Sequence, residues 1–476
     1  MDIVSARRRM ASMAKGFLPY TLDQRLLLPP DLREWLPDGH LALFLSDVVE
    51  ALDLTPIRKA LEKDDDRGRA GYHPTMMVKL LIYAYCVGKP SSRKIERATY
   101  EDVAFRVLSG DQHPDHDSIA DFRKRHLTSL AGLFVQVLQL CRQAGLVKLG
   151  HIAIDGTRIQ ANASKHKAMS YGRMGDAEKK LTEEVQRLLQ AAADVDAQED
   201  AAHGKGTRGD ELPNELARRE TRLQKIREAK AALEKQAREQ ARALAAEVEG
   251  KLEARAQKEA ETGKKARGPK PAIPNPDEAE PDAKTQRNFT DPESRIMPDG
   301  AHKGAFLQGY NAQIAVDAEA QVIVACDVTQ QTNDKKQLVP MAAHIVANVG
   351  RLADVTSADA GYFSEAAVED VTLASTQLLV PPNREKHGVV DLTVPLANDA
   401  SANERMRHAL GTPAGRALYR MRKAIVEPVF GQIKEARGFR RFCLRGLDAA
   451  KAEFALLALT HNLLKLFRSA RRLAAA

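Results

Sequence analysis

Apolar positions recur with two different periods along this chain. From 40 to 145 the period is helical. Leu43, Phe44, Val48 and Leu52 mark one helix face. Met77, Leu80, Leu81, Ala84 and Tyr85 mark another, behind Pro74, a residue suited to a first helical turn. Gly88-Lys89-Pro90 ends that helix and Ser91 is placed to cap the next. Gly110 to Pro114 then precedes a basic helix, Asp117 to Arg125. Helix, turn and capped basic helix is the order of helix-turn-helix DNA readers, and a basic helix is also an ordinary solvated face. The cations offered to DNA are Arg93, Lys94, Arg97, Arg123, Lys124 and Arg125.

Beyond 145 strands enter. Ile152-Ala153-Ile154-Asp155-Gly156-Thr157 reads as a short buried strand ending in a carboxylate. Such an Asp is a turn or cap residue, or it faces a site, because a buried carboxylate needs a partner or a metal. Lys165, His166 and Lys167 come next, as a phosphate-facing cluster or as an exposed loop. Tyr310 to Val316 and Val322 to Val328 alternate with period two and read as a hairpin turning at 317–320. Asp334 is placed to cap a helix running from Leu338 to Val349. A strand over 354–359 ends in a second carboxylate, followed by a helix over 364–373 and a strand over 377–380. A long helix over 414–436, bent at Pro428 and Gly431, and an amphipathic helix over 449–472 complete the pattern.

Two stretches interrupt it. Over 176–262, Leu181, Val185, Leu188, Ala192 and Val195, then Leu216, Leu223, Ile226, Leu233, Ala237 and Leu244, form heptad seams. They predict an antiparallel coiled-coil hairpin. Residues 263–300, with Pro269, Pro271, Pro274, Pro276 and Pro281 and no periodicity, read as a disordered linker. The expected organisation is therefore a helical N-terminal DNA-binding domain (1–145), an α/β domain (146–175 and 301–476), the insertion and the linker.

Composition narrows the function. A chain of 476 residues exceeds one ordinary core. Its net charge of +8 favours a polyanionic partner, nucleic acid first. Cys86, Cys141, Cys326 and Cys443 are far apart and form no CxxC pair, so neither a zinc ribbon nor a disulfide framework is indicated. The apolar run from Met76 to Val87 contains Lys79 and is too short to span a bilayer. No apolar signal region comes after Arg7-Arg8-Arg9, so a cytoplasmic, nucleoid-associated location is expected and no membrane partner.

Without the insertion, the order is strand, two-strand hairpin, helix, strand, helix, strand, helix. That is the plan of an RNase H-like α/β fold, in which the first and fourth strands end side by side under a late helix. Asp155, Asp359 and Glu427 would meet there. Three carboxylates at one point repel unless cations hold them, and two Mg²⁺ ions suit oxygen ligands and phosphodiester chemistry.

On these residues the chain resembles the DDE transposases of bacterial insertion sequences. Tyr419, Arg422, Glu427 and Lys434 resemble their Tyr-Arg-Glu-Lys signature, with the Arg422-to-Glu427 step one residue longer than usual. The Asp-Gly-Thr at 155–157 and Ala-Asp-Ala-Gly-Tyr at 358–362 are similar too, and 73–126 resembles their InsH-type N-terminal domain. The resemblance implies Asp155, Asp359 and Glu427 as catalytic ligands of two Mg²⁺ ions, with Mn²⁺ as a substitute. It places Arg422 and Lys434 on phosphates near the scissile bond and Tyr419 on the terminal nucleotides. It implies double-stranded DNA as partner, both terminal inverted repeats and target, and a homodimer or higher synaptic assembly performing cut-and-paste transposition. A catalytically silent DNA-binding relic and an RNase H-like structure-specific nuclease stay open.

Overall fold

The computed structural model describes residues 31–61, 71–203, 214–262, 268–300, 302, 304–383, 396–397 and 399–475. Arg7-Arg8-Arg9 and residues 204–213, between the two expected helices of the insertion, lie outside them. Seven helices come first among the described residues: α1 (Leu41–Ala51), α2 (Thr55–Leu61), α3 (Pro74–Cys86), α4 (Ser92–Glu101), α5 (Val103–Ser109), α6 (His116–Arg125) and α7 (Leu127–Gln143). Their ends obey local chemistry. Pro74 occupies the first turn of α3, and the Asp102 and Asp115 carboxylates accept the free N–H groups that open α5 and α6. Ser91 sits at the N-cap of α4 without a side-chain cap bond, unlike the expected serine cap. Gly110, in the left-handed region, ends α5.

The sheet comes next in the chain, with β1 (His151–Gln160), β2 (Ala168–Ser170), α8 (Tyr171–His203), α9 (Asn214–Thr262), β3 (Gln286–Asn288), β4 (Arg295–Pro298), β5 (Phe306–Asp317) and β6 (Ile323–Thr329). Then come α10 (Leu338–Val349), β7 (Val355–Ala358), α11 (Glu365–Val368), β8 (Gln377–Leu379), α12 (Ala402–Gly411), α13 (Pro413–Gly431) and α14 (Leu447–Ala475). The main sheet runs β4-β5-β1-β7-β8, and β6 shares the outer edge of β5 with β4. β1 is antiparallel to β5 and parallel to β7. The architecture is mixed α/β. A single apolar core runs from α1 and α3 through α7 and α14 into the sheet, so the helices before 145 share their core with the α/β part of the chain.

β1 is longer than expected. It pairs with β7 only as far as Ile154↔Ala358, then continues on β5 to Gln160↔Gly309. Asp155 thus sits where the parallel partner stops and not at a strand end. Residues 268–300 also differ from expectation, because they contain β3 and β4. Asn288, Asp291 and Met297 are fully buried there. The Tyr310 hydroxyl donates to Asp291 Oδ1 at 2.7 Å, and Gln308 Nε2 donates to Ser294 Oγ at 2.7 Å. Order here rests on polar side chains satisfying one another, which leaves no trace in apolar periodicity.

α8 and α9 pack against each other through Leu181, Leu223, Ile226, Ala229 and Leu233. Glu178 pairs with Arg227 and Lys230, and Glu184 with Arg219, so the two helices run antiparallel. The seam does not keep to the expected heptad to its end: Leu244 is 50% exposed and Ala245 takes the buried position. The side chains of Ala192, Val195 and Leu216 lie outside the described residues.

A buried polar knot ties the early helices to α14. Glu453, with no exposed surface, accepts from the Tyr85 hydroxyl at 2.6 Å and from the Cys443 and Leu444 N–H groups. Arg123 reaches the same hydroxyl and also donates to the Pro90 carbonyl at 2.7 Å. Glu453→Ala leaves these donors without an acceptor and is expected to cost about 3 kcal/mol in chemical denaturation. Glu453→Gln, which keeps one acceptor, is expected to cost less.

Candidate active site

Asp155 is held from two sides. Its Oδ1 accepts the Gly156 N–H at 2.8 Å, and its Oδ2 accepts Arg422 Nη1, from α13, at 3.0 Å. Asp359 comes directly after the last residue of β7. It caps the short 3-10 turn Ala360–Tyr362, with Oδ1 accepting the Gly361 N–H at 2.8 Å. The pairing of β1 with β7 brings the two carboxylates into one field.

Burial is the main force pushing the Asp155 carboxyl up, to about 6. The Arg422 guanidinium and the Gly156 N–H oppose the shift, and the negative charge of Asp359 adds to it. Burial works against the charge on Arg422, but Asp155, Tyr419 and Asp359 together hold its pKa above the ordinary value.

A third carboxylate belongs to this site. Asp334, expected as a helix cap, does not cap α10, whose N-cap is Gln337 with no side-chain bond. Its Oδ1 instead accepts Asn311 Nδ2 and Gln313 Nε2, each at 2.7 Å, from β5. The buried Tyr362 hydroxyl donates to Gln313 Oε1. Two glycines show how close the groups are. A Cβ at Gly156 would lie 2.4 Å from Gln313 Nε2 and 3.0 Å from Asp334 Oδ1. At Gly361 it would lie 2.9 Å from Asp359 Oδ1 and 3.8 Å from Asp334 Oδ2. Asp334 thus lies between the residue after Asp155 and the turn after Asp359. Tyr362 feels burial first, then Asp334, Asp155 and Asp359, and its hydroxyl is held well above the ordinary tyrosine range. The sequence did carry a signal for this group. Asn311 and Gln313 are polar residues two apart in the apolar run Tyr310 to Val316, which puts them on one face.

Glu427 is not brought to the pair. It is exposed on α13, and among the described residues no hydrogen bond or ion pair holds it. The cause is spacing. Five residues after Arg422, Glu427 is turned about 140° away from the Arg422 face, and Val426 takes the buried position one turn on. Beyond Gly431 the helix widens into a π turn, Gln432–Ala436, with the Arg437 N–H reaching back to the Gln432 carbonyl. A π turn absorbs one extra residue. It brings Lys434 back to β1, where Nζ donates to Thr157 Oγ1 at 2.5 Å and to the Arg158 carbonyl at 2.9 Å.

Several expected DNA contacts are occupied within the protein. Arg422 is spent on Asp155, and Lys434 on Thr157 and Arg158. Arg123 is buried, 5% exposed, in the Glu453 knot. Tyr419 is half-buried, its ring 5.8 Å from the Arg422 guanidinium. Arg93, Lys94, Lys124 and Arg125 are exposed, and Arg97 is exposed while pairing with Glu101 at 2.8 Å.

Among the described residues, no three His, Cys, Asp or Glu side chains are placed to hold a metal ion together. Asp155 and Asp359 as a pair do suit Mg²⁺, which takes one or two carboxylates and completes its shell with water and phosphate oxygens. Among the same residues, no helix is long and apolar enough to cross a membrane.

Two family models match the chain. One, described as a transposase domain (DUF772), covers residues 30–125. The other, described as a transposase DDE domain, covers 277–463, and so includes Asp334, Asp359 and Glu427 while Asp155 lies before it. No curated protein matches. No solved structure matches either. The protein is a DNA transposase. It belongs to the DDE transposases of insertion elements.

The raised Asp155 pKa couples stability to pH. The metal-free folded state binds this proton more tightly than the unfolded chain, whose value is 3.8. The associated stability is present below that value and lost as pH rises through about 6. The loss is expected to reach at most about 3 kcal/mol. Denaturation of the metal-free protein, monitored from about pH 4 to about pH 7, is expected to show this loss in wild type and a smaller one in Asp155→Asn.

Proposed function

We propose that this protein cuts DNA at the terminal inverted repeats of its element and joins the ends to target DNA, moving the element by cut and paste. Its catalytic part is read as an RNase H-like core interrupted by a coiled-coil arm, preceded by an all-α DNA-binding domain at 1–145. The observation that carries this reading is the pair of carboxylates, Asp155 on β1 and Asp359 directly after the neighbouring β7, in a chain with two transposase family matches. Asp155 and Asp359, joined by Glu427, would hold two Mg²⁺ ions, or Mn²⁺ in their place. Bound there, the ions would supply activation of a water or 3′-hydroxyl and stabilisation of the leaving oxygen.

The chain's own residues prepare that site. Arg422 balances the Asp155 charge and fixes its second oxygen. Lys434 holds the far half of β1 through Thr157 and Arg158. Asp334, through Gln313 and Tyr362, sets the turn that presents Asp359. Glu427 reaches the pair when the extra residue of α13 is absorbed before it instead of after it. Pro428 favours rearrangement there. It leaves the Ala424 carbonyl without its helical donor, and Gln321 Nε2 now donates to that carbonyl at 3.0 Å. Cutting two ends calls for two active sites, hence a homodimer or larger assembly, to which the α8–α9 arm would contribute.

The experiment uses labelled duplex carrying the DNA that flanks the gene. Asp155→Ala and Asp359→Ala are expected to keep binding and lose Mg²⁺-dependent cutting. Glu427→Ala is expected to lose roughly 100-fold or more, as for removal of a group that stabilises developing charge. Asp334→Asn is expected to lose roughly 10–100-fold, as for a group that orients ligands. Cutting by Asp155→Ala at the wild-type rate would refute the assignment. A silent relic would show no cutting in wild type, and a structure-specific nuclease would cut without regard to the terminal repeats.

A further inference from the structure

A groove of about 680 Å³ is lined by Asn333 and Lys335, the residues on either side of Asp334 in the chain. One wall is the segment entering β3, with Lys284 and Gln286. The floor is β4 and β5, with Arg295. The other wall is the loop 330–336, with Gln331, Lys335 and Lys336. Among the described residues, no carboxylate lines it. Lys284, Lys335 and Lys336 are exposed, and none is in a salt bridge among the described residues. Glu247 of α9 is close enough to Lys336 to feel its charge, but its carboxylate is taken by Lys251 at 2.6 Å. The exposed turn Lys165–Lys167 precedes Ala168, itself a lining residue.

The loop wall is the one that carries Asp334, and it is pinned to the site. Arg158 Nη2, on β1, donates to the Thr332 carbonyl at 2.6 Å, and Asn311 Nδ2 donates to the Gln331 carbonyl at 3.2 Å. Arg295 in the floor is taken by the Pro292 and Ser294 carbonyls and by Gln330 Oε1; the exposed ammonium groups and side-chain amides remain as a donor set for phosphate oxygens. A single small anion would leave most of such a groove unfilled.

We infer that this groove binds the phosphodiester backbone of duplex DNA and leads it to the carboxylates. The inference rests on the reading that the site works on DNA. It also gives residues 284–296 a function, as the wall and part of the floor of a DNA track.

The test is binding of the flanking-DNA duplex by the full-length protein across a range of salt concentrations. Lys284→Ala, Lys335→Ala and Lys336→Ala are combined in one variant, and the three Lys→Arg changes in another. Each lysine that meets a phosphate contributes about 0.9 to the slope of log affinity against log salt. The alanine variant is expected to have a slope shallower by about that amount per lysine, and the arginine variant to keep the wild-type slope. An unchanged slope in the alanine variant, with wild type still cutting in Mg²⁺, overturns the groove and leaves the catalytic reading intact. A reduced slope with no cutting by wild type supports the groove and overturns the catalytic reading.

Discussion

Two carboxylates brought together by adjacent strands repel each other, and burial makes the repulsion worse. Here the opposing charge comes from Arg422, 3.0 Å from Asp155 on a helix that crosses the sheet. Much of the architecture serves that contact. β7 stops beside Ile154, which frees Asp155 from a strand neighbour on one side. Gly156 carries no Cβ, so Gln313 and Asp334 can close over it. Asp155 nevertheless remains costly to ionise, as expected of a site shaped to hold something more strongly charged than one guanidinium.

The phase of α13 decides which further group completes the site. Arg422 and Lys434 both reach β1, although twelve positions apart in a uniform α-helix would point them in different directions. The π turn reconciles them. Because it falls after Glu427, that residue is left turned outward, while Asp334 comes in from the opposite side of the sheet's end. The two acids differ in how they are held. Asp334 is fixed by two amides, whereas Glu427 is exposed and has no hydrogen bond or ion pair among the described residues.

Much of this was legible in the sequence. The β5–β6 hairpin, the strand ending before Asp359 and the two helices α8 and α9 arise from period and turn chemistry, which act locally. Asp155 and Asp359 stood out as acids placed after apolar runs. What periodicity could not show was polar order. Asp291, Asn288 and Ser294 fold a proline-rich stretch by bonding one another, and Asp334 exchanges a cap for two amides 21 and 23 positions away. Arg123 misled for a related reason, since a cation on a basic helix looks the same whether it faces solvent or Tyr85. The extra residue before Glu427 was visible, but its consequence depended on where the helix would widen.

The most direct test of the carboxylate pair is cation binding without DNA. Mn²⁺ binding to the metal-free protein, measured by electron paramagnetic resonance, is expected to show a bound ion in wild type. Asp155→Ala and Asp359→Ala are each expected to lose it. Equal binding by wild type and both variants would contradict the proposal that these two residues form the metal site.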